Sequence, residues 1–179
     1  MVKITITGEI GSGKTTVGKI LAKRIDCDFL SVGSLRREIA KEKGLTIQEL
    51  NKIGETETWT DEIADQKQIE LGKRSSNFVI EGRLSWHFIP NSFKIFLDIT
   101  KEEGAKRIII EKRDSEQKIN SLTEQIETNQ KRKESDKKRY EKIYKIEDFL
   151  DKNHFNLIID TSSLTPEEVV KIILKQIKK

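Results

Sequence analysis

Gly8-Glu9-Ile10-Gly11-Ser12-Gly13-Lys14-Thr15 fits the spacing G-x-x-x-x-G-K-[ST]. Its neighbours give the match its meaning. Ile4 and Ile6 run into it as a strand, and Val17, Ile20, Leu21 and Ile25 leave it at helical spacing. Glycines at 8, 11 and 13 let backbone N–H groups turn toward phosphate oxygens without a Cβ in the way. The helix that follows presents its positive end to the same anion. Lys14 is expected on the β- and γ-phosphates of ATP and the Thr15 hydroxyl on Mg²⁺, with Glu9, Ile10, Ser12 and Thr16 completing the nucleotide loop.

Working outward, residues 2–7, 78–81, 94–99 and 156–160 read as strands, and 27–30 as a fifth. Phe78-Val79-Ile80, Ile95-Phe96-Leu97 and Leu157-Ile158-Ile159 are uninterrupted apolar triplets, as in strands buried on both faces of a parallel sheet. Helical patterns alternate with them. Leu35, Ile39 and Ala40 follow the second strand, and Val169, Val170, Ile173, Leu174 and Ile177 follow the last, opened by Thr165-Pro166. This alternation predicts a three-layer α/β/α fold around a parallel sheet of about five strands.

The chain has 179 residues, enough for one domain, with 34 basic and 30 acidic side chains. Residues 131–142 hold seven basic and three acidic residues, so that stretch alone matches the +4 excess of the whole chain. A local basic patch implies an anionic ligand. Cys27 is the only cysteine, which excludes a disulfide framework. No apolar run approaches the ~20 residues that span a bilayer, and residues 1–7 lack a signal-peptide pattern. We expect a cytoplasmic protein with neither membrane nor nucleic-acid partner, acting as a monomer.

Residues 127–139 contain no apolar side chain yet favour helix. A helix without an apolar stripe is not held by a core, so this segment must be solvated, mobile or ordered by a ligand. It reads as a lid. Arg132 and Arg139 lie two turns apart on one helix face, with Asp136 between them, and are expected to close over the transferring phosphoryl group.

Other phosphate-loop classes fit less well. The nearest stretch to the guanine-reading Asn-Lys-x-Asp motif, Asn51-Lys52-Ile53-Gly54, lacks the Asp, and Leu84-Ser85-Trp86 is not a Leu-Ser-Gly-Gly-Gln signature. The basic patch would suit a nucleic-acid-stimulated NTPase, but Tyr140 is the only aromatic in it.

The acceptor side rests on two segments. Ser31-Val32-Gly33-Ser34-Leu35-Arg36-Arg37 puts Arg37 four residues after Gly33, with Arg36 the second choice. Phe78-Val79-Ile80-Glu81-Gly82-Arg83 ends a buried strand in a carboxylate and an arginine, where open α/β sheets bind ligands. Arg37 and Arg83 are candidates for the acceptor phosphate, and Glu81 for a water on Mg²⁺. Asp61 and Asp65 share a helix face. His87 and His154 lack metal-type partners at useful spacing and are read as structural.

Taken together, these motifs resemble the archaeal-type cytidylate kinases, a branch of the nucleoside monophosphate kinases. The resemblance runs through the nucleotide loop, Ser31-Val32-Gly33 with Arg37, Asp61, Asp65 and Gln68, and residues 81–85. It continues at Arg132, Ser135-Asp136, Arg139-Tyr140, Ile143-Tyr144 and Asp160-Thr161-Ser162. It implies one P-loop kinase domain over 1–179, with a monophosphate-binding insertion at about 31–73 and a lid at about 113–139. It also implies transfer of the γ-phosphoryl of ATP to CMP or dCMP, with Mg²⁺. Ser31, Gly33, Arg37, Asp61, Asp65, Glu81, Gly82 and Arg83 would surround the acceptor. Ser34 stands where the family often has an acidic residue, Trp86 follows Ser85 where relatives often have Gly, and the stretch around Arg107 and Arg113 runs long. Base choice among CMP, dCMP and UMP, and the carboxylate that reads it, stay open. A kinase for AMP or a non-nucleotide metabolite such as shikimate is the alternative.

Overall fold

Alternation within the strands divides the apolar residues between two faces of one sheet. A computed structural model describes residues 2–74, 76–111, 119 and 121–177. Five parallel strands, β1 (Lys3–Gly8), β2 (Asp28–Ser31), β3 (Phe78–Glu81), β4 (Phe93–Asp98) and β5 (Leu157–Asp160), stand in the order β2-β3-β1-β4-β5. Ile4, Ile6, Val79, Ile95 and Leu97 face α1 (Lys14–Arg24) and α8 (Pro166–Ile177) through Val17, Leu21, Val169 and Ile173. Phe78 and Ile80 point the other way, onto α2 (Val32–Glu42), α3 (Ile47–Ile53) and α4 (Trp59–Lys73). This is the expected three-layer architecture. Each fully buried Ile or Phe contributes roughly 1.5–3 kcal/mol of transfer free energy.

One strand differs from its reading. β5 is a sheet edge, and Ile158 is 44 % exposed, so the triplet Leu157-Ile158-Ile159 is not covered on both faces. A triplet says only that two faces are apolar; coverage depends on what docks there.

Residues 31–73 carry α2, α3 and α4. Ser31 caps α2 by accepting from the Ser34 N–H at 3.1 Å, and Thr46 with Glu49 forms a capping box on α3. After β3 come the short α5 (Ser85–Phe88), then β4 and α6 (Lys101–Glu111). The expected start of the lid, near Arg113, lies outside the described residues. From Leu122 to Tyr144 the chain is one helix, α7. Its apolar-free stretch is neither solvated throughout nor packed on hydrophobic side chains: Asp136 and Arg139 are buried in it. Charge pairs, not an apolar stripe, hold it against the body. Among the described residues, no helix is long and apolar enough to cross a membrane.

Candidate active site

Parallel register brings the carboxyl ends of β1, β2 and β3 together: Ile6 lies beside Glu81, and Ser31 beside Glu81 on its other side. The nucleotide loop leaves β1 at this edge. Gly11 has φ 84°, and a Cβ there would lie 2.3 Å from the Gly104 backbone oxygen of α6, so only glycine fits. Gly13 has φ 81°, and a Cβ there would meet nothing within 4 Å, which leaves the concave side of the loop open. No side chain caps α1 at Gly13. Its first N–H groups are therefore free for an anion.

Lys14 Nζ donates to the Glu9 carbonyl at 2.5 Å and to Ser12 Oγ at 3.4 Å, a position inside the loop. Burial lowers its pKa to about 7; Glu81 and Glu9 work against that shift, while Arg83 and Arg132 add to it. Thr15 Oγ1 donates to Glu81 Oε1 at 3.0 Å, and Ser31 Oγ donates to the same oxygen. Glu9 also pairs with α7, through Lys133 Nζ at 2.6 Å.

Above the loop lies a cleft of about 130 Å³. Of the loop residues expected at the nucleotide, Ile10, Gly11, Gly13, Lys14 and Thr15 line it. Gly8 and Ser12 lie buried beneath it, Glu9 lines an adjoining space, and Thr16 turns to solvent. Of the acceptor residues, Gly33, Arg37, Glu81, Gly82 and Arg83 line the cleft, as do Arg132 and Arg139 of α7. Ser31 does not; it supports Glu81 from below.

A chain of charges joins the three segments around this cleft. Asp61, 5 % exposed, pairs with Arg36 on one oxygen, while its other oxygen lies 3.2 Å from Arg139 Nε. Arg139 Nη2 donates to Asp136 Oδ1 at 2.8 Å, and Asp136 Oδ2 lies 2.7 Å from Arg83 Nε. Arg139 Nη1 is buried, has no hydrogen-bond partner among the described residues and belongs to a cleft-lining residue. A buried guanidinium donor without a partner is costly unless a ligand satisfies it. Asp65 is placed elsewhere: Tyr144 Oη donates to it, Gln68 Nε2 donates at 3.3 Å, and it is not part of the cleft wall.

Arg36 and Arg37 both line the cleft, and Arg36, the second choice from sequence, is the more buried of the two. The signal was available. Arg36 lies in register with Val32, Ile39 and Ala40 on the apolar face of α2, where an arginine must find partners. The pairing of Asp136 with Arg83 had no local signal, because it joins α7 to the end of β3.

Comparison with known proteins gives this arrangement a context. A shikimate kinase from Bacteroides thetaiotaomicron superposes with a TM-score of 0.68 over 99 % of each chain at 17 % identity, a likeness of fold. An S-adenosylmethionine-dependent nucleotide dehydratase of Lacinutrix mariniflava is 35 % identical over 99 % of this chain, which corresponds to 36 % of that larger protein. The cytidylate kinase of Archaeoglobus fulgidus is 37 % identical over 98 % of this chain and 94 % of its own length. Residues 3–163 match the cytidylate kinase-like family, from the first strand past the last. With the loop, the cleft arginines and α7 all inside that match, the chain belongs to the cytidylate kinase-like family.

Proposed function

We propose that this protein transfers the γ-phosphoryl group of ATP to CMP or dCMP, yielding the nucleoside diphosphate and ADP. The observation that carries this reading is the convergence of Lys14, Arg37, Arg83 and Arg139 on one cleft, with a buried Arg139 donor awaiting a partner. Phosphoryl transfer asks a protein chiefly for positioning and charge neutralisation. Lys14 exchanges the Glu9 carbonyl for the β- and γ-phosphates of ATP. Arg37 and Arg83 hold the acceptor phosphate in line. Arg132 and Arg139 neutralise the charge that develops between the two substrates, and closure of α7 keeps water away from the reacting phosphoryl.

The residues fit a magnesium ion. Thr15 Oγ1 and Glu81 Oε1, 3.0 Å apart at the open end of the loop, are hard oxygen donors. Magnesium is bound in such sites by one or two protein oxygens, waters and substrate phosphates. Thr15 would bind it directly and Glu81 through a water; the ion neutralises phosphate charge. Ser31, fixed on the same Glu81 oxygen, keeps that carboxylate in place.

A coupled assay of ADP release over CMP, dCMP, UMP, AMP and shikimate tests the reading. Fastest turnover with CMP or dCMP is expected. Preference for AMP or shikimate, or ATP turnover that rises with RNA or DNA instead, would reject it.

A further inference from the structure

Neither carboxylate on the inner face of α4 lines the cleft. Asp61 is shared between Arg36 and Arg139, and Asp65 between Tyr144 and Gln68. An acceptor base in the cleft therefore meets some other polar group first. Asn51 of α3 lines both this cleft and an adjoining, wider space of about 390 Å³ bordered by α3 and α7. Beside it, Val32 and Ile47 supply apolar surface for a flat ring.

The orientation of the Asn51 amide is chemically determined. Arg36 Nη2 donates to Asn51 Oδ1 at 3.0 Å. A guanidinium can only donate, so the amide oxygen must face Arg36 and the NH₂ must face away. Arg36 is held in turn, with Nη1 donating to the Thr60 carbonyl at 2.9 Å and to Asp61. The Asn51 NH₂ has no hydrogen-bond partner among the described residues. Asn51 therefore carries a pre-set donor on the wall of the cleft, with Arg36 and Asp61 as its positioning residues.

We propose that Asn51 selects the acceptor base by donating to ring N3 of cytosine. N3 of cytosine is an acceptor, whereas N3 of uracil carries a hydrogen and would set two donors against each other. A site built around one fixed donor rejects the base that cannot accept it, because a buried polar group is then left unpaired. This inference rests on the cytidylate-kinase reading and adds the residue that makes the choice.

The test compares initial rates of the full-length protein with CMP and with UMP. Asn51→Asp keeps the size of the side chain and its bond to Arg36 but turns the donor into an acceptor. It is expected to lower the CMP-to-UMP ratio of kcat/KM at least about tenfold, a change of 1.4 kcal/mol, with KM for ATP unchanged. Asn51→Leu removes both polar atoms and should also collapse the ratio, through loss of CMP turnover. Thermal melting identifies which variants fold. A ratio within about twofold of wild type in a folded variant overturns the proposal, since a merely structural Asn51 would affect both acceptors alike. A wild-type protein that phosphorylates no pyrimidine monophosphate removes the functional reading as well, and so separates the two failures.

Discussion

Asp136 on α7 and Arg83 beyond β3 are 2.7 Å apart. A carboxylate of α7 thus holds the guanidinium proposed above for the acceptor phosphate. On that proposal, substrate phosphate and Asp136 would compete for one cation, and α7 would be positioned by the charge the substrate uses.

Asp136→Ala should destabilise the fold by about 3–5 kcal/mol, the usual cost of breaking a buried ion pair from one side. Asp136 is 3 % exposed and Arg139 is 2 % exposed, so little water is at hand to replace the lost carboxylate. The urea midpoint measures this. A loss under about 1 kcal/mol would mean that the pairing behaves as a surface one.

Lys14 gives a pH signature. Burial holds its pKa at about 7 in the folded protein, whereas the unfolded chain has its lysine at about 10.4. Between those values the unfolded state binds more protons, so this group makes stability rise with pH across that window. Phosphate beside the amine favours its charged form. ATP binding at about pH 8 should therefore take up close to one proton, detectable by calorimetry in buffers of different ionisation enthalpy, and the uptake should fade near about pH 6. No uptake at the higher pH would place the amine of Lys14 away from the phosphates.

Gly104→Ala sets two effects against each other. In an exposed helix interior the change gains about 1 kcal/mol. Here the new Cβ would lie 2.6 Å from the Ile10 backbone oxygen, beneath the nucleotide loop. The contact should win, lowering both the melting temperature and ATP affinity, the latter at least about tenfold. A raised melting temperature with unchanged affinity would show that the loop moves aside freely.

Asp65→Asn should leave turnover nearly intact, since Asp65 does not line the cleft. Burial raises the Asp65 pKa to about 6, with the Tyr144 hydrogen bond opposing the rise. The folded state then holds the proton more tightly than the unfolded one, so this carboxyl loses stability as pH climbs from about 3.9 toward 6. Melting curves should show the amide gaining on wild type across that interval. A gap independent of pH would contradict the assignment.

The nucleotide loop and the sheet were legible in the sequence because both are local. A strand, a glycine pattern and an amphipathic helix each declare themselves within a few residues, and the β3 triplet is buried as read. The exposure of Ile158 was not legible, since position in a sheet is set by topology. Nor was the docking of α7. Periodicity detects apolar faces, and ahead of Tyr140 this helix is held by Asp136, Arg139 and Lys133, charges that look like a solvated surface until their partners are known. The links from Asp61 to Arg36 and Arg139 have no local signal either, since they cross from α4 to α2 and α7.

The run of alternating charges from Arg83 through Asp136, Arg139 and Asp61 to Arg36 crosses three parts of the chain. A lid transplanted from another member of the family would graft cleanly only if it brings the matching acid and base, since each foreign charge would face a like neighbour with little solvent between them. Recombination among relatives should therefore succeed where the lid and the α2–α4 segment travel together, and fail where they are swapped singly.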